Sequence, residues 1–141
     1  MNRIAVLFTA LCCLFVSCQK EGGNSSVDGT TWSCEGENNG DYTLILNDGY
    51  ASLYFKYRTS SESSFLDTQA YTVKGNTIKF KGHLHEDNDP IIHYIGYYNK
   101  GTFNEDRSRL TLNYHYEVND PDNPNRNRIG DNTYTYIRVL F

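Results

Sequence analysis

The chain has 141 residues, 13 basic and 17 acidic side chains, a net charge of −4 and a pI near 5.5. An acidic balance excludes a partner held by its phosphates, which needs clustered Lys and Arg, so no nucleic-acid partner is expected. Twelve Tyr and seven Phe beside a single Trp suit pleated, half-buried surfaces and lean the chain towards an all-β domain.

The first segment, residues 1–17, has a positive start at Arg3, an apolar run from Ile4 to Val16 and a small residue at Ser17, followed by Cys18. This pattern predicts a secretory signal. The apolar run is 13 residues, short of the roughly 20 that a membrane-spanning helix needs. Val16-Ser17-Cys18 resembles the lipobox of bacterial lipoproteins. The resemblance implies that the Cys18 thiol receives a diacylglycerol, that the signal is cut before it, and that the new amine takes a further palmitate-type chain. Each buried acyl methylene contributes about 0.8 kcal/mol, so several chains anchor almost permanently. The expected location is then the bacterial cell envelope, at the outer membrane on its periplasmic face or at the cell surface, with the membrane as a partner through the anchor.

Cleavage leaves 124 residues with a net charge of −5, enough for one domain with a modest core. Cys12 and Cys13 depart with the signal and Cys18 takes the lipid, so Cys34 alone stays in the folded part and no disulfide forms within it. Cys34 stands two residues after Trp32, on the same face of a strand, which predicts burial. Residues 18–28 read as the lipidated cysteine and a polar, Gly- and Ser-rich tether, leaving 29–141 as the domain. Lys20-Glu21 resembles a short form of the charged export signal of surface lipoproteins in Bacteroidetes.

From Gly29 onward period-two alternation recurs. Thr31–Cys34 is the first strand; Tyr42–Leu46 and Ala51–Arg58 form a hairpin about Asn47-Asp48-Gly49; Thr59–Ser64 is a loop. Asp67–Lys74 and Thr77–Leu84 form a second hairpin about Gly75-Asn76, with Ile78, Phe80, Gly82 and Leu84 on one face. Asp87–Pro90 turns the chain into a long strand, Ile91–Phe103, in which Ile92, Tyr94, Gly96 and Tyr98 share a face. Asn104–Ser108 is the next turn, and Leu110, Leu112, Tyr114, Tyr116 and Val118 continue the inner face. Asn119–Asn132, rich in Asn with Pro121 and Pro124, reads as a long loop before a last strand, Thr133–Phe141.

Eight sequential antiparallel strands predict an up-and-down meander closing into a barrel, which removes both edges; an open or sandwiched antiparallel sheet is the alternative. Gly29-Thr30-Thr31-Trp32, the segment from Tyr71 to Phe80 and Tyr134-Thr135-Tyr136-Ile137-Arg138 resemble small Bacteroidetes lipoproteins with a lipocalin-like (calycin) domain. In lipocalins a Trp after a leading Gly closes the barrel floor and a late Arg packs across it. The resemblance gives those roles to Trp32 and Arg138, while the residues alone leave Arg138 equally an outward-facing charge.

Three groups are candidates for chemistry. His83, His85 and His93 would share a face if the hairpin were centred near Asn88, which sets His93 across from His83 and makes a three-ligand zinc site. Alternation of His83 and His85 with core residues favours instead a solvated outer face, with no cofactor. Asp120, Asp122 and Asp131 suggest calcium, but Pro124 and Arg126 break the spacing of a calcium loop. No nucleophile elbow or phosphate-cradling Gly-rich loop occurs, so an enzyme is not expected. The expectation is a lipid-anchored binding protein with a small or hydrophobic ligand in the barrel, its cavity lined by Trp32, Tyr94, Tyr98, Tyr114 and Tyr116. The alternative is a structural or interaction lipoprotein with a filled barrel that binds a partner protein through its loops.

Overall fold

A computed structural model describes residues 27–36, 39–91 and 93–141; the predicted signal, Cys18 and most of the tether lie outside them. The strands are β1 Thr30–Glu35, β2 Gly40–Asn47, β3 Tyr50–Tyr57, β4 Ser64–Lys74, β5 Thr77–Asp89, β6 Tyr94–Phe103, β7 Arg109–Val118 and β8 Arg128–Val139. Each is antiparallel to its sequence neighbours, and β8 returns to pair with β1 through Thr31–Val139, Trp32–Arg138 and Ser33–Ile137. The result is a closed eight-stranded meander, a lipocalin-like barrel, in place of an open or sandwiched sheet.

Alternation puts the apolar series inside as expected. Leu44 and Leu46, Ala51 and Leu53, Ile78 and Phe80, and Leu110, Leu112 and Tyr114 are all buried. β6 keeps Gly96 and Tyr98 inside, and a bulge between Tyr98 and Lys100 then shifts the inner face to Gly101 and Phe103. The β2–β3 turn uses Asp48 and Gly49, both at positive φ, which suits the twist of a two-residue hairpin.

The two ends of the barrel differ. At the floor, Trp32 is wholly buried, its ring centroid 5.3 Å from that of Phe103, and its Nε1–H donates to Thr30 Oγ1 at 2.8 Å. The Thr30 hydroxyl in turn donates to the Val27 carbonyl. Arg138 is the cross-strand partner of Trp32, but the guanidinium that lies over a floor ring is that of Arg107, 5.7 Å from the Phe103 centroid. Arg107 sits in the β6–β7 turn at positive φ and donates to the Gly75 carbonyl at 3.0 Å, which carries it beneath the floor. Arg138 thus stands beside Trp32 at the closing seam, half-exposed, and Arg107 adds a second cation over the neighbouring Phe103 ring.

Four boundaries differ from expectation. The domain begins before Gly29: Val27 is fully buried, and Asp28 accepts from the Gly49 N–H at 3.2 Å and the Tyr71 hydroxyl at 2.9 Å. These partners withdraw both residues from the tether. β4 starts at Ser64, where pairing with Phe55 extends the ladder past a bulge. β5 continues to Asp89, whose carboxylate accepts from the Ile91 N–H, so the chain turns only after Asp89 and β6 begins at Tyr94. β8 starts at Arg128, because β7 has strand to spare through Val118 and pairs with it.

Trp32→Ala is expected to cost about 3–5 kcal/mol of stability, since it opens a cavity among Phe103, Thr30 and the neighbouring floor side chains. Urea unfolding followed by far-UV circular dichroism measures it.

Candidate functional site

The mouth, opposite the floor, opens into a cleft of about 880 Å³ between β6, β7, β8 and the β7–β8 connection. Its walls carry the phenols of Tyr94 and Tyr116, the Val118 side chain, and a polar rim of Asp120, Asn125, Arg126, Asn127, Arg128 and Asn132. The cleft stops at a layer of tyrosines. Tyr98 and Tyr114 are buried, their ring centroids 5.0 Å apart, and Tyr134 meets them edge-on at 5.9 and 6.1 Å. Tyr136 is wholly buried with this layer, so the barrel below the cleft is packed with side chains.

Glycines set where the mouth phenols lie. A Cβ on Gly96 would sit 2.2 Å from the Tyr114 hydroxyl and 2.6 Å from that of Tyr94. One on Gly130 would sit 2.6 Å from the Tyr116 hydroxyl, which crosses β8 in the space that glycine leaves. Tyr94 donates to the Tyr114 oxygen at 3.0 Å, and Tyr114 donates to Asp87 Oδ2 at 3.2 Å. Burial, then the bond with Tyr94 and the Asp87 charge, push the Tyr114 phenol well above its ordinary range, and burial does the same to Tyr98 and Tyr136. These hydroxyls stay protonated at any physiological pH.

The connection between β7 and β8 folds around the buried Asp120. Its Oδ1 accepts from the backbone N–H groups of Asp122 and Asn123, both at 3.0 Å, and its Oδ2 lies 3.7 Å from Arg126. Its own N–H donates to Asn127 Oδ1 at 2.8 Å, and Pro124–Arg126 forms one 3₁₀ turn. Asp120 is thus committed to shaping the rim. Asp131 points to the other side of the sheet, 3.0 Å from His115, so Asp120, Asp122 and Asp131 do not converge as the sequence suggested.

Of the expected cavity residues, Tyr94 and Tyr116 line the cleft; Tyr98 and Tyr114 form the packed layer beneath it, and Trp32 belongs to the floor at the far end. The histidine register is corrected. Asp87 pairs with Gly96 and Asp89 with Tyr94, so the hairpin turns beyond Asn88 and His93 does not face His83. His83 lies flat on Tyr97 with ring centroids 3.5 Å apart and its Nδ1 is 2.8 Å from Glu86. His85 is at positive φ in a bulge, its Nε2 3.5 Å from Asp87, and the His93 carbonyl accepts from the Asn119 N–H at 3.2 Å. Among the described residues no group of three or more His, Cys, Asp or Glu side chains is placed to hold a metal ion.

Arg126, Arg128 and Asn132 are site residues that sequence reasoning missed. The signal was present: positions 128, 130, 132, 134 and 136 share one face, and Tyr134 and Tyr136 are interior. Assigning Asn119–Asn132 to a loop hid it. No protein-family model matches the chain, and no curated protein matches it. The fold defines the class, a lipocalin-like barrel with a polar cleft at one mouth.

Three outcomes follow from these environments. Cys34 is buried and burial, with the nearby Asp41 and Glu35 charges, raises its thiol pKa, so the native protein is expected to leave it unreactive toward an aromatic disulfide reagent at pH 8 and to expose it in urea. His115 is raised above 6.5 by its bonds with Asp131 and Glu117. The stabilisation from its protonated form is full below about pH 6.5 and is lost as pH rises through the folded pKa. His115→Gln should flatten that part of the Tm profile. Gly130→Val should displace Tyr116 and destabilise by about 1–3 kcal/mol, read in urea unfolding.

Proposed function

We propose that this chain is a lipid-anchored binding protein of the bacterial cell envelope, whose barrel mouth takes a small polar ligand. The observation that carries the reading is the cleft of about 880 Å³ above the tyrosine layer, a volume in the range of small-molecule sites, about 300–1,000 Å³. Its rim of amides and guanidinium groups favours a more polar occupant than a deep apolar barrel would. The lining residues include phenols, amides, guanidinium groups and one committed carboxylate, and neither an imidazole nor a thiol, a set suited to holding a ligand.

Connectivity supports the anchored arrangement. The described chain begins at Val27 in the floor, and the four connections after β1, β3, β5 and β7 lie at the mouth. Eight residues separate Cys18 from Val27. Even fully extended they reach only about 28 Å, so a lipid on Cys18 would hold the floor towards the membrane and the cleft away from it.

Native mass spectrometry of the protein purified from its own envelope tests both parts. The expected spectrum shows a chain starting at an acylated Cys18 and a retained small molecule. An intact Met1 without acyl groups would overturn the anchor. A bare mass would favour a filled barrel that meets a partner protein through its loops.

A further inference from the structure

We infer that the mouth cleft selects small hydroxylated carboxylates and that Arg128 receives the carboxylate; this deepens the binding reading above and rests on it. Charge inside the cleft is the starting point. Three ionised side chains line it, Asp120, Arg126 and Arg128. Asp120 is neutralised by two backbone N–H groups and by Arg126 at 3.7 Å. Arg128 has no carboxylate partner among the described residues, whereas Arg126, the other guanidinium of the cleft, is paired with Asp120. An otherwise acidic protein, with net charge −4, therefore presents an uncompensated, exposed cation on the rim of a concave site.

A guanidinium is a planar fork of donors that matches a carboxylate with two parallel bonds, about twice as strong as neutral ones. The remaining partners fit hydroxyl groups. Asn132 offers both a donor and an acceptor, and the Tyr116 phenol, held over Gly130, offers another pair with an apolar ring face beside it. Val118 adds one small apolar wall. A fatty acid would leave the amides unpaired, and a neutral polyol would leave Arg128 without a partner.

D-glucuronate and D-glucose are the probes, since they differ in one carboxylate. Each is titrated into the ¹⁵N-labelled protein at low salt and followed by amide chemical shifts, with the indole N–H of Trp32 at the floor as the internal sign of an intact fold. Glucuronate is expected to shift cleft amides saturably and to bind about tenfold more tightly than glucose. About 0.5 M NaCl should remove that advantage. Arg128→Gln should bring the two probes to equal affinity while the Trp32 signal stays in place, and Arg128→Lys should recover only part. Equal binding of both probes, an unaffected Arg128→Gln variant, or no shift with glucuronate overturns the inference. A neutral molecule retained in the native mass alongside any of these outcomes leaves the binding reading standing, whereas a bare mass together with silent titrations ends both.

Discussion

The structure depends on one short seam. β1 and β8 meet through three residue pairs, Thr31–Val139, Trp32–Arg138 and Ser33–Ile137, and this pairing turns a meander with two open edges into a barrel with none. The β7–β8 ladder runs over ten pairs, so the seam is the weakest lateral contact, and its backing is the floor packing. Trp32 stands in the seam itself, bonded to Thr30 and packed on Phe103. The N-terminal approach is tied down separately, by Asp28 to Gly49 and Tyr71. Closure is thus held by side chains of β1, β4 and β6 and by the Gly49 N–H of the β2–β3 turn, which binds Asp28.

Polarity grades along the barrel axis. The floor is apolar, with Leu44, Leu46, Ile78, Phe103 and Leu110 all at or near zero exposure. A tyrosine layer follows, whose rings fill volume while their hydroxyls tolerate one another at the border with water. Above it lies the polar cleft. An eight-stranded barrel is just wide enough to be filled or to hold one small ligand. This chain is filled at depth and open at one mouth. Glycine decides the transition, since Gly96 and Gly130 leave the room that the phenols of Tyr94, Tyr114 and Tyr116 occupy.

The outer face carries a separate set of groups. His83, Tyr97 and His115 stack across β5, β6 and β7, with Glu86, Glu117 and Asp131 around them. Their charges are mutually satisfied at the surface, where such pairs contribute little to stability. They stand on the opposite side of the sheet from the cleft, so the imidazoles and the candidate site do not act on one another directly.

Alternation with period two, turn residues such as Asp48-Gly49 and the count of strands were enough to determine an all-β antiparallel meander, because side-chain parity depends on local backbone geometry alone, whereas its closure rests on the distant β1–β8 pairing. Burial of Cys34 beside Trp32 followed from the same parity. Register did not. The bulges in β5 and the position of its turn beyond Asp89 set which residues face one another, and they separated His83 from His93. Composition also misled at residues 128–132, where Arg, Gly, Asp and Asn read as a loop but pair with Tyr114–Val118 because a free strand edge takes up any backbone within reach. That pairing places Arg128 and Asn132 at the cleft, and the bond to the Gly75 carbonyl places Arg107 under the floor. Those positions depend on contacts between residues far apart in the chain, which only the folded barrel decides.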